Sequence, residues 1–343
     1  MVKLVQLQEH VEIGSQTTMK VGGACDYYIA ASTLQTVKEA CDWSTTEHIP
    51  LFVLGEGSNI VVSDEPLHRL VLKIELKGVK KVSENSDSVT LRIGAGEHWD
   101  DVVRRAVELG LSGIEAMSAI PGTMGAAPVQ NAGAYGQEIA DTLVNVDAYD
   151  VVEQTYVIIE RQDCGFAYRT SVFKTEAVGR YVITGVTLKL SKKPAAPPTY
   201  ESLKRYLAEN NIDQPTLEQI RNGVMAVRKR ILPDPSVVPN SGSFFKNPIV
   251  SPAVLAELEQ RFNKIPSYKY GDGYKLAAGW IVEQCGFKGS EHFGLKMWSD
   301  HALVITNPHH ADYTDLIKLV DMITDAVQKK FGLALEPEPQ FIH

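Results

Sequence analysis

The stretch NSGSFFKNP at 240–248 sets serines and a glycine directly ahead of two phenylalanines, a lysine and Asn247. Two readings compete. One is a turn leading into a buried strand; the other is a hydroxyl at the lip of an apolar pocket, where it could hand on a proton. Two glycine-rich stretches lie upstream. LGEGSN at 54–59 follows the apolar run 51–54, so a strand would deliver it to a sheet edge. IPGTMGAAPVQNAGAYG at 120–136 carries little side-chain bulk over most of its length. Small residues let the backbone approach a ligand, and successive N–H groups can form a nest for phosphate oxygens. The competing reading of both is ordinary turns. Neither holds G-x-G-x-x-G ahead of a helix or a Walker-type G-x-x-x-x-G-K, so a Rossmann or P-loop site is not supported. The nine histidines show no ligand spacing. His309 and His310 follow Asn307-Pro308 in what reads as an exposed loop, and no metal is expected.

The elements that must position these residues belong to a chain of 343 residues, 44% hydrophobic and 22% charged. That length allows two or three domains with their own cores. The net charge of −8 and pI near 5.6 argue against a protein that works by neutralising nucleic-acid phosphates, while a local basic pocket for a small anion stays compatible. The first residues, MVKLVQLQEHVEIGSQ, lack an apolar core of signal-peptide length, and no run approaches a membrane span. Cys25, Cys41, Cys164 and Cys285 are scattered without a C-x-x-C pair, which fits a reducing compartment. A soluble, cytoplasmic protein with no nucleic-acid or membrane partner is expected.

KKPAAPP at 192–198 cannot continue a helix or a central strand and marks the clearest break. Ahead of it, LFVLGEG, NIVVS, SVTLRIGAG and YVITGVTLKL read as strands broken by glycine. A helix is predicted over 98–109, with Asp100 and Asp101 in its first turn, Val102, Val103, Ala106 and Val107 inward, and Gly110 as its stop. After the break, Thr216 and Gln219 form a capping-box signature. It opens a helix with Leu217, Ile220, Val224, Val227 and Ile231 at helical spacing. Further helices are predicted at 252–262, 275–285 and 313–331, the last with Leu316, Ile317, Val320, Ile323, Val327 and Phe331 inward. The class is α+β, a glycine-rich β-containing half followed by a more helical one.

LGEGSN, the 120–136 stretch, CGFAYRTSVFK at 164–174, NSGSFFKNP, DGYKLAAGWIVEQCGFKG at 272–289 and LEPEPQFIH at the end occur in that order. The set resembles the UDP-N-acetylenolpyruvoylglucosamine reductase family, which completes the muramic acid precursor of bacterial peptidoglycan. The resemblance covers nearly the whole chain, and the segment carrying Tyr200 is similar to the longer of the family's two subtypes. It implies an FAD-binding fold of the vanillyl-alcohol-oxidase (PCMH) type in two lobes, plus a C-terminal α+β substrate-binding domain. The first lobe would span 1–70, joined by 333–343, the second 71–230, and the substrate domain 231–332. It further implies non-covalent FAD, NADPH as reductant and UDP-N-acetylglucosamine enolpyruvate as substrate. NADPH reduces the flavin, and hydride then passes from flavin N5 to the enolpyruvyl double bond, giving the lactyl ether. A monomer is expected, serving cell-wall synthesis and through it cell shape and division.

Site residues follow from the same resemblance. FAD contacts fall on Leu54, Gly55, Glu56, Gly57, Ser58 and Asn59, and on Pro121, Gly122, Thr123, Gly125, Ala126, Gln130, Asn131, Gly133 and Ala134. Hydride addition beside a carboxylate leaves an enolate-like intermediate that needs stabilisation and then a proton. Ser243 takes the role of proton donor. A hydroxyl is a poor acid near pH 7, so it serves only a strongly basic intermediate in a dry site. Arg169 meets the substrate carboxylate, since guanidinium stays charged and can bind both oxygens. Glu338 stands near the intermediate, protonated or orienting a proton relay, with Glu336 as the more structural competitor. Tyr168, Tyr200, Asn247, Tyr268, Lys288 and His301 match positions that contact the UDP-sugar. The family's lysine before LPDP is Ile231 in this chain, so either Arg230 or Lys229 takes over the diphosphate or binding is weaker. Two other readings compete: another flavin oxidoreductase of the same fold, or a non-catalytic UDP-sugar-binding protein.

Overall fold

A computed structural model describes residues 6–262 and 264–343. The first five residues of the expected 1–70 lobe, and position 263 of the expected substrate domain, lie outside it. The chain forms two compact units. One comprises Cys25–Glu56 and Leu67–Lys229 with the N-terminal segment through Val11; the other comprises Glu12–Ala24, Gly57–Pro66 and Arg230–His343.

Among the described residues the first unit holds two larger sheets and a two-stranded hairpin of Gly133–Ala134 with Gln137–Glu138. Strand Leu67–Ile74 lies between Ala24–Ala31 and Leu51–Leu54 and pairs parallel with both. A parallel strand in that place is covered on both faces and reads as a continuous apolar run; Leu70, Val71 and Leu72 are fully buried. Helix Leu34–Thr46 connects Ala24–Ala31 to Leu51–Leu54, its start fixed by the Thr33 side chain accepting from the Thr36 N–H. The second sheet is antiparallel, in the order Thr155–Glu160, Leu143–Asp150, Tyr181–Ser191, Ser88–Gly94, Val79–Glu84. Side chains of both sheets enter one buried cluster with Trp99, Val102, Val103 and Ala106 of helix Trp99–Glu108. That helix ends where expected, at Leu109 and the left-handed Gly110, though Val107 is only half-buried. The Trp99 indole donates to the Met117 carbonyl at 2.9 Å, which anchors the loop leading to 120–136.

The proline-rich stretch 192–198 separates strand from helix but not unit from unit. Helices Glu201–Glu209 and Leu217–Ile231 follow it. Their Leu203, Leu207, Ile220 and Val224 form a cluster with Ala116 of the first unit. Both bonds of the capping box form: Gln219 N–H to Thr216 Oγ1 at 3.2 Å, and Thr216 N–H to Gln219 Oε1 at 2.9 Å. Ile231, expected inward, is half-buried because it is the last residue of the helix.

The second unit carries an antiparallel sheet ordered Asn240–Ser243, Val304–Thr306, Leu295–Met297, Glu291–His292. Ile60–Val62 and Gln340–Ile342 add a short parallel pair. Helices Pro252–Arg261, Ala278–Gln284 and Tyr313–Phe331 surround its core. The helix expected from 275 starts only at Ala278. Gly273–Leu276 is instead the second arm of a hairpin with Ser267–Tyr270, turning at the left-handed Gly271. The turn chemistry of YGDG overrode the helical spacing that followed it. In Tyr313–Phe331, Asp312 caps the start and Gly332 the end, while Leu319 is buried and Ile317 only half so.

Candidate functional site

In the first unit, strand Leu51–Leu54 delivers Gly55 and Glu56 to its end. The Glu56 carboxylate accepts the Gly122 N–H at 2.7 Å and contacts the His98 imidazole, so it ties the first glycine stretch to the second. Residues 122–125 are held along 95–99: Trp99 N–H to Gly122 O at 3.0 Å, Met124 N–H to Glu97 O at 2.8 Å and Gly125 N–H to Ala95 O at 2.8 Å. These contacts are too close for larger residues. A Cβ on Gly55 would lie 2.8 Å from Thr123 Oγ1, and one on Gly125 would lie 2.7 Å from Ala95 Cβ. Leu54, Gly122 and Thr123 are buried beneath, whereas Pro121 and Ala126 are exposed and Gly55, Gly125, Gln130, Gly133 and Ala134 half-exposed. The result is a rigid floor of backbone and methyl groups on which an extended, partly planar ligand can lie.

Asn131 serves the loop itself. It is fully buried with a left-handed backbone, and its carboxamide donates to Ala167 O at 3.1 Å and accepts from the Ala140 N–H at 3.2 Å. It thereby joins the second glycine stretch to the FAYR loop. Arg169 donates from Nη2 to the Gly133 carbonyl at 2.7 Å, with its guanidinium 5.7 Å from the Tyr168 ring centre. Arg169 and Tyr135 also take left-handed backbone at φ 54° and 50°. Such conformations are costly for non-glycine residues and gather at functional sites. The Tyr200 ring packs edge-on to Tyr135 at 5.1 Å, so the inserted segment covers the tip of the Gly133–Ala134 hairpin. The structure therefore brings Arg169, Tyr168, Tyr200 and the Gly133 end of the glycine floor together.

The second unit holds Ser243 at the end of strand Asn240–Ser243. An irregularity in its pairing with Val304–Thr306 falls at Gly242, which is left-handed at φ 75°. Asn240 supports this bend, accepting the Gly242 N–H at 2.9 Å while donating to Val238 O at 2.8 Å. Ser243 is half-buried beside Phe244 and Phe245, at 0% and 1% exposure. The LEPE segment runs antiparallel to SFFK: Glu338 N–H donates to Phe244 O at 2.8 Å, Phe245 bridges Pro337, and Lys246 N–H donates to Glu336 O at 2.9 Å. That register sets Glu338 opposite Phe244, the residue that follows Ser243, while Glu336 is exposed and its carboxylate pairs with Lys246. Asn59 fixes the same corner, its Nδ2 donating to Glu338 O at 3.3 Å and its carbonyl accepting the Gln340 N–H at 3.0 Å. Ser58 is half-buried next to it. Gly57 is buried and left-handed, and a Cβ there would meet Gln16 O at 2.6 Å.

The expected nucleotide contacts in this unit are more dispersed. Asn247 accepts the Ala278 N–H at 2.9 Å, and His301 Nδ1 accepts the Leu303 N–H at 3.3 Å. Both thus stand at the start of helix Ala278–Gln284, where a Cβ on Gly279 would lie 4.0 Å from the His301 ring. Tyr268 is 56% exposed on its hairpin. Lys288 pairs with Glu283 at 3.0 Å. Arg230, and Lys229 at the end of the first unit, are exposed on the last turn of helix Leu217–Ile231.

The sequence reading missed a set of charged residues in the first unit. Arg221 donates to both oxygens of Asp100, at 2.6 and 2.8 Å, and Asp100 also accepts the Ala119 N–H at 2.6 Å. Burial alone would raise the Asp100 pKa. Hydrogen bonds from Arg221 and Ala119 and the charges of Arg221 and Arg104 outweigh it, holding the carboxyl below its usual value. Two turns further on, burial pushes the Arg228 pKa down, with Tyr135 and Asp100 opposing that and Arg169 adding to it. The available signal was the spacing of Arg221, Val224 and Arg228 on one helical face.

A family model for the C-terminal domain of UDP-N-acetylenolpyruvoylglucosamine reductase matches residues 234–342, and one for an FAD binding domain matches 25–156. The chain is 43% identical over 290 residues to the UDP-N-acetylenolpyruvoylglucosamine reductase of Alcanivorax borkumensis, covering 84% of this chain and 83% of that protein. It is 40% identical over 340 residues to that of Ralstonia nicotianae, covering 98% and 99%. The crystal structure of the UDP-N-acetylenolpyruvylglucosamine reductase from Thermus caldophilus superposes with a TM-score of 0.70 at 24% identity, over 98% of this chain and all of that one, and shows the same fold. Among the described residues, no helix is long and apolar enough to cross a membrane.

Proposed function

The chain belongs to the UDP-N-acetylenolpyruvoylglucosamine reductase family, and on that premise we propose that it reduces UDP-N-acetylglucosamine enolpyruvate to UDP-N-acetylmuramate with NADPH, as a cytoplasmic monomer. Its residues fit an FAD: the rigid small-residue floor at 55 and 122–126 accepts an extended cofactor, and additional side chains there would collide with the loop beneath. When bound, FAD takes hydride from NADPH and supplies it to one carbon of the enolpyruvyl double bond.

The protein's own groups supply the rest. Arg169 holds the substrate carboxylate, and its link to Gly133 O sets the guanidinium at the edge of the flavin floor. As hydride arrives, negative charge moves toward that carboxylate, where a guanidinium stabilises it. The Ser243 hydroxyl then gives its proton to the neighbouring carbon, and Glu338 orients the path by which that hydroxyl is reprotonated. Phe244 and Phe245 back this corner with buried apolar surface, which favours a weak acid over bulk water. The antiparallel register of SFFK and LEPE is the observation that supports this reading most. Lobes at 1–70 with 333–343 and at 71–230, and a substrate domain at 231–332, are the domain roles proposed with it. In the second unit, Asn247, Tyr268, Lys288, His301 and Arg230 are proposed for the nucleotide.

The test is spectroscopic. Purified protein is expected to be yellow, to bleach anaerobically with NADPH and to regain colour on adding the enolpyruvyl nucleotide. Colourless protein would point to a binding module, and bleaching by an alcohol or sugar to an oxidase. A related prediction concerns the floor. Gly125→Val forces a branched side chain against Ala95, where even a Cβ would come within 2.7 Å. Overpacking of this kind costs about 1–3 kcal/mol, so flavin affinity should fall by roughly 5- to 100-fold, read from the flavin-to-protein absorbance ratio after dialysis. Full flavin retention would show that this loop does not carry the cofactor.

A further inference from the structure

Glu115 lies in the loop that leads to the 120–136 stretch and is 2% exposed. Its carboxylate is met by neutral donors: Oε2 accepts the Gly113 N–H at 2.6 Å and Oε1 accepts Nε2 of Gln137 at 3.0 Å. The Gln137 carboxamide closes the circuit, its Oε1 accepting the Ala116 N–H at 2.8 Å. Among the described residues no cation pairs with Glu115. Burying a carboxylate without a cation is costly, and a network of this kind tolerates no missing member. What it holds is a hairpin that cannot hold itself. Gly133–Ala134 and Gln137–Glu138 are two residues each, and so short a pair is marginal alone. Its turn is made by Tyr135 and Gly136, left-handed at φ 50° and 90°, where tyrosine is disfavoured relative to asparagine or aspartate. Gly133 is pressed onto the strand that Gln137 opens: a Cβ there would lie 2.6 Å from Gln137 O and 2.9 Å from Glu138 Cβ. The Gly133 carbonyl in turn accepts Arg169 Nη2 at 2.7 Å. That bond is one among the contacts of Arg169, and a coupling energy measures its share.

We propose that Glu115 and Gln137 are positioning residues for the reaction, setting through the Gly133 carbonyl the place where the Arg169 guanidinium receives the substrate carboxylate. This rests on the role proposed for Arg169 above. Glu115 is closed off from solvent, and both ends of the Gln137 carboxamide are committed to Glu115 and Ala116. The pair therefore acts through the hairpin rather than on the substrate. A guanidinium that binds two carboxylate oxygens needs its plane as well as its charge in place, and small misplacements beside a reacting group carry large losses.

The test titrates the oxidised flavoprotein with the enolpyruvyl nucleotide, and separately with UDP-N-acetylglucosamine, which lacks the carboxylate, following the visible flavin spectrum. Gln137→Glu takes the side-chain donor from Glu115 and sets two carboxylates against each other. It is expected to weaken binding of the enolpyruvyl nucleotide about 3- to 30-fold, as for a buried polar group left without its partner. Binding of UDP-N-acetylglucosamine should change less than about twofold. The exchange Glu115→Gln with Gln137→Glu rebuilds the network: the amide now at 115 donates to the carboxylate now at 137, and each still accepts its backbone N–H. Binding should return with it. In an Arg169→Met background, Gln137→Glu should add no further loss. Equal weakening of both nucleotides, loss of flavin, unchanged binding of both, or a full additional loss in the Arg169→Met background overturns the proposal. So does an exchange variant that melts like the unaltered protein yet binds weakly; where the exchange lowers the melting temperature, the Arg169→Met comparison decides. An Arg169→Met protein that prefers the enolpyruvyl nucleotide as strongly as the unaltered protein would refute the reading of Arg169 itself, and this inference with it.

Discussion

Ser243→Ala is expected to bleach with NADPH as fast as the unaltered protein, yet to regain its colour on mixing with the enolpyruvyl nucleotide about 100- to 10,000-fold more slowly, the range typical of a lost general acid. The split between the two half-reactions matters more than the size of the effect. Ser243 sits in the second unit, just before Phe244, whose carbonyl takes the Glu338 N–H, at a bend fixed by Gly242 and Asn240. On the proposed roles, removing its oxygen deletes a proton source and leaves the floor proposed for the flavin, in the first unit, unaltered. Glu338→Gln should slow the same half-reaction and leave the other intact. Glu336→Gln should do neither, because Glu336 is exposed and pairs with Lys246. Rapid mixing of each reduced variant with substrate under anaerobic conditions measures this. An Ser243→Ala protein that regains its colour at the unaltered rate would remove the hydroxyl from the chemistry.

The second large effect is on stability. Arg221→Met leaves Asp100 with its Ala119 N–H but without its two guanidinium bonds. Breaking one side of a buried pair costs about 3–5 kcal/mol. The Asp100 side chain keeps 36% exposure, so water recovers part of this and a loss of about 2–3 kcal/mol is expected. The pH dependence carries a sign. The Asp100 pKa is depressed in the folded protein, so its contribution is complete above the unfolded value of about 3.9. It is lost as pH falls from there through the lower folded value. Arg221→Met should therefore lose most stability near neutrality and little below that window. The double change Asp100→Leu with Arg221→Met should recover much of the loss, since no buried charge is left alone. Denaturant unfolding at several pH values checks it. A uniform loss at all pH values would mean that packing, not charge, links the helix to the 98–109 segment. The pair also bears on function, because Asp100 holds Ala119 at the entrance to the 120–136 stretch.

Much of the fold was legible in the sequence because its signals are local. Apolar runs broken by glycine became the strands Leu51–Leu54, Ser88–Gly94 and Tyr181–Ser191, and Thr216 with Gln219 formed the capping box their spacing implied. The misreadings arose where local signals conflicted or where tertiary contacts decided. At 275 a hairpin turn prevailed over helical periodicity. At 192–198 proline ended a strand, yet the unit continued because Leu203, Leu207, Ile220 and Val224 pack with Ala116, a contact no local pattern announces. In the site, ordered motifs drew attention to Ser243, Glu338 and Arg169 but not to what supports them. That LEPE runs alongside SFFK and that Glu56 bonds Gly122 both depend on long-range pairing. Arg228 was legible only as one basic residue among three, and burial is what separates it from Lys229 and Arg230.

The account stands most directly on the fate of the enolpyruvyl double bond. Protein reduced with one equivalent of reductant, freed of oxygen and mixed with an equal amount of the enolpyruvyl nucleotide should return to yellow. Proton NMR should show the vinyl signals replaced by the methyl doublet of a lactyl ether in matching amount. Colour that returns only when air is admitted, with the vinyl signals untouched, would contradict it.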